Sequence, residues 1–211
     1  PALGNLLTEM VLSPYVWKKL VGMQMLVEGL AMGAFATNYQ YTNDPLLKRL
    51  CQLVMTDEAF HHKFGKIWAD RTIPHLSEAE RNLIEDWAAQ VFTGLLFNLG
   101  SPEQKKPIYA EFGIEWEWAQ SAFREAFTDA RVRERLKDST NIFRVLIKTL
   151  LKAGIITDRT RGTYAAFVDM AELHKEGDRM VGDDIAEEGI KYLMQLNGGQ
   201  GRTPMGLAAA E

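Results

Sequence analysis

Strand-like alternation of apolar and polar residues is missing from this chain, and so are a disulfide framework and a basic tract. Cys51 is the one cysteine in 211 residues, so no disulfide can close within the chain, and a reducing, cytoplasmic setting is expected. Its 24 Lys and Arg are interspersed among 28 Asp and Glu, which leaves no cationic run to follow a phosphate backbone; no nucleic acid partner is expected. Nothing reads as a signal peptide, and no apolar run reads as long enough to span a bilayer. Histidine is scarce at four copies, which makes the placement of each one informative.

Apolar residues make up 46% of the chain, enough for one helical domain over residues 1–197 with a sizeable core. Helix starts are marked by Ser13-Pro14, Asp44-Pro45 and Ser101-Pro102, each a capping side chain followed by proline at the first helical position. Ser77-Glu78-Ala79-Glu80 reads as a capping box. The pattern predicts helices over 14–41, 45–70, 78–98 and 102–127, then shorter ones near 130–137, 140–153, 159–175 and 182–196: an all-α chain. After Asn197 the Gly-rich segment and small-residue tail, 198–211, are expected to be flexible. The chain opens on Pro-Ala-Leu-Gly, and a natural start further upstream is expected.

The first two long helices are joined by little more than Thr42-Asn43-Asp44 and should form an antiparallel hairpin over 14–70. Glu28 is a lone carboxylate in an apolar stretch, Leu20 to Met32, where an unpaired charge is costly. In the next helix Glu58 and His61 lie three apart and project from one face. Glu28 and Glu58 sit about equally far from the turn, so they should lie at one level. A glutamate from one helix and a Glu-x-x-His from its neighbour form one ligand set of a bundle-core di-metal site, which needs two such sets. Carboxylate with imidazole suits iron or manganese better than calcium.

On Gly22-Met23-Gln24 through Glu28-Gly29-Leu30-Ala31, and on Asp57-Glu58-Ala59-Phe60-His61-His62-Lys63-Phe64-Gly65, the chain resembles the ferritin-like superfamily of di-iron carboxylate proteins. Its oxygenase and ribonucleotide-reductase-small-subunit branch is the nearer likeness. The resemblance covers 14–70 well and the remainder loosely, and implies a ferritin-like helical bundle with accessory C-terminal helices. It implies Glu28, Glu58 and His61 as ligands of two iron ions (Fe/Fe or Mn/Fe), with Asp57 orienting a metal-bound histidine across the site. Gln24, one turn before Glu28, is a candidate partner for that carboxylate. The implied activity is an O2-dependent oxidase or oxygenase acting on a small organic substrate, with electrons from a separate reductase.

The second ligand set is not evident. Glu115 is spaced as a further glutamate would be, but Arg144 stands where the accompanying histidine is needed. The remaining ligands are therefore expected upstream of Pro1, from a second chain in a homodimer, or nowhere in a degenerate site, in that order. The competing functions are a non-catalytic ferritin-like partner subunit and a ferroxidase or storage protein. Each residue also has a plainer role: Glu28 could pair with a lysine or arginine, Cys51 and the methionines could be core, and His62 is expected at the surface or beside the ligands. Glu115-Trp116-Glu117-Trp118 suits interface packing. Asp169, Glu172, His174, Glu176 and Asp178 suit a solvated helix face better than a second metal site.

Overall fold

A computed structural model describes residues 2–100, 105–126 and 141–198, with 131, 134 and 137 between them. Among these residues the chain is all-α, with no strand. The helices are α1 (Ala2–Leu12), α2 (Val16–Tyr41), α3 (Pro45–Thr72), α4 (Glu78–Gly100), α5 (Lys106–Glu111), α6 (Trp116–Ala126), α7 (Ile142–Lys152), α8 (Arg161–Ala165), α9 (Met170–Lys175) and α10 (Val181–Gly198).

Local chemistry accounts for most of the boundaries. Asp44 accepts hydrogen bonds from the amides of Leu46 and Leu47, and Pro45 opens α3. Ser77 and Glu80 form the expected reciprocal box ahead of α4. Ser13 behaves differently from expectation: its hydroxyl accepts from the Tyr15 amide in a tight turn, and α2 starts at Val16 with no side-chain cap. The helix expected over 102–127 is broken, because Gly113 takes a φ of +67° that stops α5 and redirects the chain into α6. That expected over 159–175 is likewise two short pieces, the second restarted by the Asp169 cap. The Ser101-Pro102 start, most of 130–137 and the 199–211 part of the tail lie outside the described residues.

The α2–α3 hairpin is the centre of the molecule. Gln24 and Met25 face Gly65, where an added Cβ would stand 2.9 Å from both side chains, and Glu28 faces His61 one turn nearer the connecting loop at 42–44. α7 crosses the other side of α2 at equally close range, with Gly29 against Leu146 and Thr149, and Gly33 against Ile142. α10 runs antiparallel to α3, held by Gly182 against Met32 and Met55 and by Gly189 against Thr56. These four helices make a bundle, and α1 and α4 extend its core through Met10, Trp87, Val91 and Phe92.

α2 also departs from the sequence expectation in two ways. Over Lys19–Val27 its hydrogen bonding is π-helical, which widens the helix just before Glu28. As one continuous helix of 26 residues it is long and apolar enough to cross a membrane by length and composition, whereas no such run was expected; 44% of the relevant window is buried inside the molecule, including Val21, Met25, Leu26 and Met32.

Candidate metal centre

Glu28 stands at the C-terminal end of the π-helical stretch, its amide bonded to carbonyls of Met23 and Met25. The antiparallel register then sets it beside one turn of α3. Ligand atoms of Glu28, Glu58 and His61 all lie within 4.8 Å of one another. His61 Nδ1 is 3.4 Å from a Glu58 oxygen and 3.7 Å from a Glu28 oxygen. The glutamate side chains are only 16% and 21% exposed, whereas that of His61 is 56% exposed, so the cluster is walled by α2 and α3 and open on the imidazole side.

The electrostatics are those of a site short of positive charge. Among the described residues neither Glu28 nor Glu58 pairs with a lysine or arginine, so the plainer role for Glu28 is not the one it has. Burial, followed by the hydrogen bond and like charge of Glu58, pushes the Glu28 carboxyl up to about 8. A protonated Glu28 can donate to Glu58, which is how two neighbouring carboxylates coexist without a cation. A di- or trivalent metal would replace that proton. Two hard oxygen donors and one imidazole are a donor set suited to iron or manganese. The cluster as built therefore fits a metal.

The other sequence candidates stand apart. Asp57 is exposed, Gln24 packs its stem on Gly65, and Glu115 is exposed ahead of α6; no hydrogen bond joins any of them to the cluster among the described residues. His62 is not at the surface. It is 4% exposed, its Nε2 lies 2.9 Å from the Thr149 hydroxyl of α7, and burial pulls its imidazole down to about 4. A step of 100° around α3 turns it from the open side of the cluster to the packed side, under Gly29.

Arg144, at the position where a second ligand histidine was sought, is buried and paired with Glu176, which Lys148 also meets at 3.0 Å. Asp169 caps α9, and Asp178 faces Lys66 and Lys152, each at 3.8 Å, so the acidic C-terminal run has structural partners. Cys51 is buried core. Trp118 is exposed, and Trp116 lies 6.4 Å from the Tyr109 ring.

Sequence reasoning missed one polar site. Glu85 of α4 is 2% exposed and accepts hydrogen bonds from the Thr157 amide and hydroxyl, the Thr160 hydroxyl and the Arg159 guanidinium. Its signal was weak, because Glu85 is followed by a second acid, Asp86, between Leu83-Ile84 and Trp87, and such a pair reads as a solvated helix face, unlike the lone Glu28. No protein-family model matches the chain, and no curated protein or solved structure matches it.

Proposed function

We propose that this chain carries one ligand set of a di-iron, or Mn/Fe, carboxylate centre in a ferritin-like bundle, and that it works as an O2-dependent oxidase or oxygenase on a small organic substrate. The observation that carries the reading is the meeting of Glu28, Glu58 and His61 across the α2–α3 hairpin, with no lysine or arginine among the described residues to neutralise them. When bound, the metal pair would supply the redox capacity to couple reduction of O2 to oxidation of the substrate, with a reductase restoring the electrons.

The residues have separable tasks. Glu28 and Glu58 would hold the ions and balance their charge from the dry side, with Glu28 deprotonated in the metal-bound form. His61 supplies the one neutral donor and, being exposed, leaves room for a further set of ligands on the open side. That set would come from another helix pair, such as that of a second copy of the chain. A non-catalytic partner subunit is the second reading. It is favoured by the Arg144–Glu176 pair where a ligand histidine was sought, and by the absence of a second carboxylate and histidine cluster among the described residues.

Metal content tests the proposal directly. The purified protein is expected to hold iron or manganese, and Glu58→Ala and His61→Ala are each expected to lose it while remaining folded. About two ions per chain would mean a full centre, and about one would mean ligand sets shared between copies. A folded parent that takes up no transition metal would overturn the reading and favour the non-catalytic subunit.

A further inference from the structure

On the side of α3 away from the cluster, a cleft of about 510 Å³ separates it from the start of α10. Ala59, Met180, Ala186 and Ile190 make an apolar lining, and Phe60 and Ile67 rise at its edge, 52% and 43% exposed. Most of the charges that line it are satisfied within the protein, Lys63 being the lining cation with no ion pair among the described residues. Lys66 is bonded to Asp70 at 2.8 Å, and Arg179 is held by Asp184 and Glu187. Asp183 accepts from the Met180 amide at 2.7 Å.

His62 also lines this cleft, and its hydrogen-bonding state follows from the direction of the Thr149 hydroxyl. The Thr149 hydroxyl has one proton, and the carbonyl of Val145 lies 3.0 Å away to receive it. With the hydroxyl proton directed to that carbonyl, the same oxygen accepts from His62 Nε2 at 2.9 Å, the tautomer in which Nε2 carries the ring proton. Nδ1 is left as an acceptor lone pair with no partner among the described residues. A nearly buried acceptor without a donor, set in an apolar cleft large enough for a substituted aromatic ring, defines a ligand by its complement.

We propose that this cleft binds a small, neutral, apolar molecule carrying one hydrogen-bond donor, such as an aromatic alcohol or amine. The donor meets His62 Nδ1, and the ring lies between Phe60 and the Met180, Ala186 and Ile190 surface. A carboxylate ligand is disfavoured by the acceptor and by the neighbouring Asp183. The site needs no metal and stands whether or not the Glu28–Glu58–His61 cluster takes one.

The test uses 4-ethylphenol as probe and ethylbenzene as the same shape without a donor, with the metal-free chain, by calorimetry and by NMR shifts of the alanine and isoleucine methyls. The phenol is expected to bind at one site, about tenfold more tightly than ethylbenzene, the value of one neutral hydrogen bond. Shifts are expected at Ala59, Ala186 and Ile190. Phe60→Ala, at an exposed position that the fold tolerates, should weaken the phenol about fivefold by removing part of the apolar wall. His62→Phe should abolish the difference between the two probes. No phenol binding, equal affinity for both probes in the parent, or shifts confined to other parts of the bundle would each overturn the proposal.

Discussion

Glu28 and Glu58 hold their carboxylates within 4.8 Å of each other across the α2–α3 interface, with His61 as the only basic side chain paired to them among the described residues. Burial, and after it the hydrogen bond and like charge of Glu58, push the Glu28 carboxyl up from 4.5 to about 8, so that one proton on Glu28 relieves the repulsion. The linkage has a definite sign. A carboxyl whose folded value is raised contributes stability that is full below pH 4.5 and is lost as pH rises through 8.

Glu28→Gln keeps the shape of the protonated acid and cannot ionise. Metal-free, the variant should match the parent near pH 4.5 and exceed it above pH 8; the full shift sets a ceiling of about 5 kcal/mol, and solvent screening at this partly open site brings it to about 2 kcal/mol, roughly 5 °C in Tm for a chain of this length. Thermal unfolding of both proteins across that range measures the difference. A constant gap between the two curves would mean that Glu28 is ionised throughout.

The His62–Thr149 contact makes the opposite prediction. An imidazole lowered from 6.5 to about 4 contributes stability that is full above 6.5 and is lost as pH falls through 4. Thr149→Val preserves side-chain volume but leaves Nε2 of a buried ring without its partner. The expected cost at neutral pH is about 1–3 kcal/mol by chemical denaturation. In the parent, NMR should find the His62 ring neutral until well below pH 6, and a ring that titrates near 6.5 would contradict its burial.

How far the site could be read from residues alone depended on the range of the interactions involved. Asp44 and the Ser77–Glu80 pair act on amides two or three residues away, so both starts were legible. Glu28 and Glu58 were legible as a pair because the turn at 42–44 fixes the hairpin register. The π-helical run at Lys19–Val27 has no residue that announces it, and Ser13 used its hydroxyl on Tyr15 instead of a cap. His62 was misplaced for a different reason: which flank of α3 is covered depends on α7 and α10, more than eighty residues away in sequence. Gly113 was visible, but its positive φ was not.

Glu85 should prove the most sensitive charged position for the fold. Burial alone would raise its carboxyl, but the hydrogen bonds from Thr160, Thr157 and Arg159 outweigh that and hold it below the ordinary carboxylate value. Removing the acceptor strands the Thr157 amide and two hydroxyls and frees the 157–160 loop from α4. Glu85→Ala is expected to cost about 2–4 kcal/mol, and Glu85→Gln less because its carbonyl still accepts. The carboxylate contribution is present above pH 4.5 and lost as pH falls below it, so the gap between Glu85→Gln and the parent should close in acid. Denaturation midpoints at neutral and acid pH decide the matter.

The α3–α10 contact pits helix propensity against packing at Gly189. An alanine there would gain up to about 1 kcal/mol of helix propensity. Its Cβ would, however, run into the Thr56 hydroxyl and reach 3.4 Å from the Gln52 carbonyl, and such overpacking costs about 1–3 kcal/mol. Packing should win, so Gly189→Ala lowers stability by about 1–2 kcal/mol, while Gly4→Ala, at an exposed helical position with nothing within 4 Å, raises it. Thr56→Ala removes the clashing oxygen and its bond to the Gln52 carbonyl. In the Gly189→Ala background it should restore at least half of the loss, a coupling that a double-mutant cycle reads from four denaturation curves. Simple additivity would mean that α10 slides along α3 to make room, and the cleft beside His62 would change its shape with that movement.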